Sequence, residues 1–153
     1  MNGCVCTIFV PMRILILNGP NLDLLGTREP HMYGSRSFED YLVELRAAFP
    51  QVAITYTQSN VEGELVDILR KCVGEQDAVV INPAGYSHSS VAIRDTIAAI
   101  SIPVVEVHIS NIHAREEFRQ HTITGGACAG VITGFGLAGY RLAVQHLLST
   151  VEG

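Results

Sequence analysis

Three observations predict an α/β fold in which a doubly wound, five-stranded parallel sheet lies between helices in three α/β/α layers. Short apolar runs rich in β-branched residues recur along the chain, amphipathic segments at helical spacing separate them, and polar side chains collect just after the runs. The runs are Arg13 to Leu17, Val52 to Thr57, Ala78 to Ile81, Val104 to Val107 and Gly130 to Thr133, each short enough for a strand buried on both faces. Alternation with helices implies right-handed crossovers, and hence parallel strands covered on both sides. Five strands joined in this way make a flavodoxin-like sheet.

The first helix opens at Ser37-Phe38-Glu39-Asp40, where the serine is placed to cap it, and Tyr41, Leu42, Leu45 and Phe49 form its apolar stripe. Asn60 to Glu64 opens the second, which carries Leu65, Ile68, Leu69 and Cys72 before Gly74. The third runs from Ser87 to Ile100 on Val91, Ile93, Ile97 and Ile100, and stops before Pro103. A short charged helix is expected from about Ala114 to His121, with Arg115 and Arg119 as an i, i+4 basic face, and Gly136 to Leu148 closes the chain. Gly134-Phe135-Gly136-Leu137-Ala138-Gly139 has the spacing of a dinucleotide loop, but no strand follows it, so it reads as a tight turn with close helix packing.

A chain of 153 residues suits one domain, here residues 13–153, preceded by a leader of unassigned role at 1–12. The net charge of −5 argues against nucleic acid or an anionic membrane as partner, because either needs a basic face. No run approaches the roughly 20 apolar residues of a membrane span. Cys4, Cys6, Cys72 and Cys128 fit neither a disulfide framework nor a zinc pattern, so a reducing, cytoplasmic setting is expected, with Cys72 and Cys128 as small buried hydrophobes. Lys71, the only lysine, stands near the end of a helix and is an unpromising candidate for a covalent imine.

In doubly wound sheets ligands bind outside the carboxyl ends of the strands. Asn18 and Asn21, Gln58 and Asn60, Asn82, then His108, Ser110 and Asn111 all follow strands, and about half are expected to be ordinary turn and cap residues. Glu106 and His108 fall on the same side of the fourth strand, so the carboxylate is placed to hold one imidazole nitrogen and leave the other as a proton donor. Asn82 to Ser90 is a turn feeding a helix N-terminus, able to offer backbone N–H groups to an anion. The polar loop after the first strand carries Arg28 and Tyr33, a guanidinium able to favour the phenolate of a tyrosine base. His108, His113 and His121 match no metal-binding spacing, and no cofactor is expected.

With these motifs in place the chain resembles the type II 3-dehydroquinate dehydratases. The resemblance rests on Leu17-Asn18-Gly19-Pro20-Asn21-Leu22, Gly26-Thr27-Arg28-Glu29-Pro30 with Tyr33-Gly34, Gln58-Ser59-Asn60 with Glu62-Gly63, Asn82-Pro83-Ala84 with His88, and Glu106-Val107-His108-Ile109-Ser110-Asn111 with Ala114-Arg115-Glu116. It spans residues 13 to about 148, with Arg36 where the family loop more often has threonine. It implies dehydration of 3-dehydroquinate to 3-dehydroshikimate, with Tyr33 as base supported by Arg28, His108 as acid oriented by Glu106, and Asn21 holding a water on the enolate oxygen. It further implies that Asn82, His88, Ile109, Ser110 and Arg119 bind substrate, and that Asp95 reaches a neighbouring subunit's site within a trimer, four trimers building a dodecamer. The step would serve the shikimate pathway, with quinate catabolism as the alternative. From another class, a flavodoxin-like electron carrier would share the sheet but needs a phosphate loop and flanking aromatic rings that Gly19-Pro20-Asn21 does not offer.

Overall fold

Five parallel strands form one sheet in the order β2-β1-β3-β4-β5: β1 (Met12–Asn18), β2 (Val52–Gln58), β3 (Ala78–Asn82), β4 (Val104–His108) and β5 (Gly130–Thr133). This is a computed structural model that describes residues 9–27 and 29–151, the side chains of Met32 and Tyr33 excepted. The expected flavodoxin-like class is what the chain adopts. β1 starts at Met12, which pairs with Val52 and so belongs to the sheet rather than to the expected leader.

Alternation along β1 sends Ile14 and Ile16 to one face and Leu15 and Leu17 to the other, and each pair seeds a separate core. A four-residue helix, α1 (Pro30–Tyr33), interrupts the loop after β1, and on the first face the isoleucines pack with α2 (Phe38–Ala48) and α5 (Ala138–Val151) through Phe38, Leu45, Tyr140 and Leu147. On the second they meet α3 (Glu62–Lys71) and α4 (Val91–Ala99) through Leu65, Leu69, Ile93 and Ile97. β3 and β4 are buried throughout, but β2 alternates and β5 is largely open, because both are edge strands. The expectation of burial on both faces therefore fails at the two edges. Ser37 caps α2 as expected, accepting from Asp40 N at 3.2 Å.

Two expected helices differ. The segment from Ser87 to Ile100 is not continuous: a 3-10 turn (Ala84–His88) comes first, and α4 begins after Ser90, whose hydroxyl accepts from Ile93 N at 2.9 Å. His88 and Asp95 consequently do not share a helix. The charged helix over 114–121 is absent. Two 3-10 turns (Ile112–Ala114 and Glu117–Arg119) flank extended backbone at Arg115 and Glu116. With Ile112 as the buried apolar residue of these turns, no stripe drives a longer helix.

Candidate active site

The sheet changes its direction of growth between β1 and β3, so the carboxyl ends of these strands bound a crevice. Asn18 and Asn82 are register partners at those ends, and Tyr140 ties them from α5. Asn82 Nδ2 donates to the phenol oxygen at 3.0 Å, and the phenol donates to Asn18 Oδ1 at 2.8 Å. Burial pushes the Tyr140 phenol well above its ordinary range, which keeps it a neutral donor. Asn82 Oδ1 accepts from Ala84 N at 3.1 Å, supporting a left-handed backbone at Ala84 with φ of 53°. A conformation of that kind costs a non-glycine residue about 1–2 kcal/mol.

Gly19 crosses this turn so closely that a Cβ there would sit 2.6 Å from the Pro83 carbonyl oxygen. Past it, Asn21 is also left-handed, with φ of 65°. Asn60 Oδ1 holds the Asn21 N–H at 3.0 Å, and Gln58 Nε2 donates to both Asn60 Oδ1 at 2.9 Å and Gly19 O at 3.2 Å. Gln58 and Asn60 thus fix the loop after β1, and Asn111 caps a turn through His113 N. These, with Asn18, whose side-chain oxygen accepts from Tyr140, are the rim residues that do structural work.

A cavity of about 280 Å³ opens on the crevice. Of the sequence-predicted residues, Asn21, Asn82, His88, His108, Ile109, Ser110 and Arg119 line it. Glu106 lies directly behind: it is 0% exposed, and its Oε1 is 2.6 Å from Nε2 of His108, itself 5% exposed. His88 stacks near His108 with ring centroids 6.2 Å apart, and its Nδ1 donates to His121 O at 2.7 Å. Arg115 and Arg119 both turn onto Glu116, each Nε 3.4 Å from its carboxylate. They converge across a bend rather than along one helical face. Arg119 also stacks on Phe118 at 5.0 Å, and its buried Nε has no hydrogen bond of good alignment. The Glu116 carboxyl is held below its usual range, first by a backbone hydrogen bond and then by the two arginines.

Asp95 is not brought to this cavity; it lies exposed on α4 beside Arg94, at 3.4 Å. Arg28 and the side chain of Tyr33 lie outside the described residues. Sequence reasoning missed Thr122 and Thr124, whose hydroxyls reach Glu106, although their i, i+2 spacing beside His121 was a signal that two hydroxyls converge. Cys128 was expected to be a buried apolar filler, yet it is half-buried with its thiol 3.9 Å from Glu106 Oε2. Burial, with the Glu106 charge behind it, pushes that thiol up to about 12.

Buried carboxylate, imidazole, amides and guanidinium groups at one cavity are suited to moving a proton on a small anionic, hydroxylated substrate. Among the described residues no group of three His, Cys, Asp or Glu side chains is placed to hold a metal ion, and no helix is long and apolar enough to cross a membrane. The profile of the family Dehydroquinase class II matches residues 12–148. The chain is 49% identical over 143 residues to a 3-dehydroquinate dehydratase of Aliarcobacter butzleri, covering 92% of this chain and 87% of that one. It is 51% identical over 140 residues to a 3-dehydroquinate dehydratase of Helicobacter hepaticus, covering 90% and 89%. The crystal structure of a type II dehydroquinase from Butyrivibrio crossotus superposes with a TM-score of 0.87 at 41% identity, over 90% of this chain and 98% of its own.

Proposed function

The chain belongs to the class II dehydroquinase family, and from that premise we propose that it removes water from 3-dehydroquinate through an enolate, with neither a metal nor a covalent imine. The observation that carries the reading is the buried Glu106–His108 pair opening on a polar cavity at the point where strand order reverses. Electron flow requires a base, a polarising donor and an acid at separate points of one cleft. Tyr33, its phenolate favoured by Arg28, takes the proton α to the ketone. Asn21 holds the water that donates to the enolate oxygen. The enolate then collapses, the carbon–oxygen bond to the departing hydroxyl breaks, and His108 supplies the proton that makes it water. Before the next turnover the proton gained by Tyr33 and the one lost by His108 must be exchanged.

Binding follows from what each lining group has left to give. Asn82 has spent one amide N–H on Tyr140 and its oxygen on Ala84, so a single N–H remains for a substrate hydroxyl. His88, whose Nδ1–H is held by His121, offers Nε2. Ser110 and Arg119 take the carboxylate, and Ile109, having no polar side-chain atom, acts through its main chain. The family match disfavours the electron-carrier alternative. We assign the step to the shikimate pathway in the cytoplasm, and the working assembly to a dodecamer of trimers.

Purified protein treated with a chelator and given 3-dehydroquinate should raise the ultraviolet absorbance of the conjugated product. Borohydride added with substrate should leave that activity intact, since Lys71 ends α3 away from the cavity lining. Absence of turnover sinks the reaction; substrate-dependent inactivation by borohydride sinks the imine-free route.

A further inference from the structure

The segment from His121 to Thr124 crosses behind both histidines of the cavity. Its His121 carbonyl accepts from His88 Nδ1 at 2.7 Å, and Ile123 N donates to Ser87 O at 2.8 Å, binding the segment to the turn that carries His88. The hydroxyls of Thr122 and Thr124 point the other way, to the two oxygens of Glu106, each at 2.5 Å.

The protons on this cluster can be placed by elimination. Gly125 N donates to Thr122 Oγ1 at 3.0 Å, so that oxygen is an acceptor and its own proton must go elsewhere. The choices are Glu106 Oε1 at 2.5 Å, Thr124 Oγ1 at 3.2 Å and Ser87 O at 3.5 Å, and the short contact to a carboxylate wins. Thr124 Oγ1 stands 2.5 Å from Glu106 Oε2 and 3.2 Å from Thr122 Oγ1, so its proton also goes to the carboxylate. The Cys128 thiol adds a weak donor to Oε2 at 3.9 Å. Everything touching Glu106 then has a proton to give, and the carboxylate is purely an acceptor. A lone pair on His108 Nε2 could not face Oε1 at 2.6 Å, so the Nε2 position must carry hydrogen.

We propose that Thr122 and Thr124 are positioning residues for the proton donor: by filling both oxygens of Glu106 with hydroxyl donors, they keep it an acceptor that holds His108 Nε2–H throughout, so that Nδ1 is the position that gains and gives up the catalytic proton. This rests on His108 being the acid. Without the hydroxyls, Oε2 would keep only the thiol, and a buried carboxylate so poorly satisfied would take a proton and turn an O–H towards the imidazole. Nε2 would then have to accept that O–H, and the ring could no longer carry hydrogen on both nitrogens, the form that gives a proton from Nδ1 and keeps Nε2–H. The same segment anchors His88 through its backbone, so hydroxyl removal separates the two functions.

The test combines nitrogen-15 NMR of histidine-labelled protein, the His108 signals being assigned by their loss in His108→Gln, with steady-state kinetics. In the intact protein neutral His108 should show the Nε2–H tautomer. In Thr122→Val/Thr124→Val that signature should be lost and kcat should fall by about tenfold or more, part of the ~10²–10⁴ a general acid supplies, with KM little changed. Thr122→Ser and Thr124→Ser, which keep the hydroxyls, should restore both. An Nδ1–H tautomer in the intact protein overturns the proposal without any variant having to fold. So do valine variants that keep kcat and tautomer, or serine variants as impaired as the valines. If the intact protein fails to turn over dehydroquinate, the reaction assignment falls while the tautomer measurement still decides what the threonines do.

Discussion

A buried carboxylate is tolerable only when its oxygens are satisfied, and Glu106 meets that condition with an imidazole and two hydroxyls. Its charge explains why Cys128 is not an ordinary buried thiol. Burial and that charge keep the sulfur protonated at pH values where an unfolded cysteine begins to ionise, because both raise its value, to about 12. Alkylation by iodoacetamide in mildly alkaline buffer should therefore be slow in the native protein and fast once it is unfolded; rapid native labelling at Cys128 would contradict the geometry. Under the proposed mechanism, Tyr33→Phe should remove nearly all turnover, at least the ~10²–10⁴ of a general base, while a substrate analogue still binds, since the ring remains and only the proton acceptor is gone. Near-normal kcat in that variant would end the assignment of the base.

At the scale of elements, the site depends on how closely the loop after β1 approaches the turn after β3. Gly19→Ala must push a methyl group to 2.6 Å from the Pro83 carbonyl, a backbone atom that cannot swing aside, and should cost on the order of 1–3 kcal/mol with an increase in KM. Gly63→Ala is the contrasting case. Gly63 is the second residue of α3 with nothing within 4 Å of the new methyl, so the change should stabilise by about 0.4–1 kcal/mol by restricting the unfolded chain. Thermal melts that rank the two variants the other way would refute the packing account. The strands and main helices were legible because burial marks the sequence, as an unbroken apolar run at Ile14 to Leu17 and as helical spacing along Tyr41, Leu42 and Leu45. The Glu106–His108 pair was legible from strand alternation, which puts both on one side of β4. Where polar side chains rather than an apolar face make the contacts, hydrogen bonds decide. The breaks at Ser89–Ser90 and Arg115–Glu116 were therefore missed, and so were the threonines, whose partner lies 16 and 18 positions away in sequence.

For the whole molecule the informative residue is the one that does not fit. Every predicted ligand-binding side chain described here lines the cavity except Asp95, which stands exposed on α4 with Arg94 as its partner at 3.4 Å. His88 does line the cavity, whereas Asp95, on a different element beyond the break at Ser89–Ser90, does not. An exposed acid paired with its neighbour is an ordinary surface state, and a monomer would need nothing more. If instead Asp95 completes the site of an adjacent subunit, as the family resemblance implies, its exposure is what assembly uses. Hybrids separate the two. Asp95→Ala should damage a neighbour's site and Tyr33→Phe its own, so chains carrying one defect each, dissociated and reassembled together, should regain activity wherever an intact Tyr33 meets an intact Asp95. The mixture must first be shown to contain mixed oligomers, for example by mass spectrometry of differently labelled chains. If Asp95→Ala alone is crippled, mixed oligomers are present, and no activity returns, then Asp95 acts within its own chain; if Asp95→Ala is fully active, the pair with Arg94 is all it does.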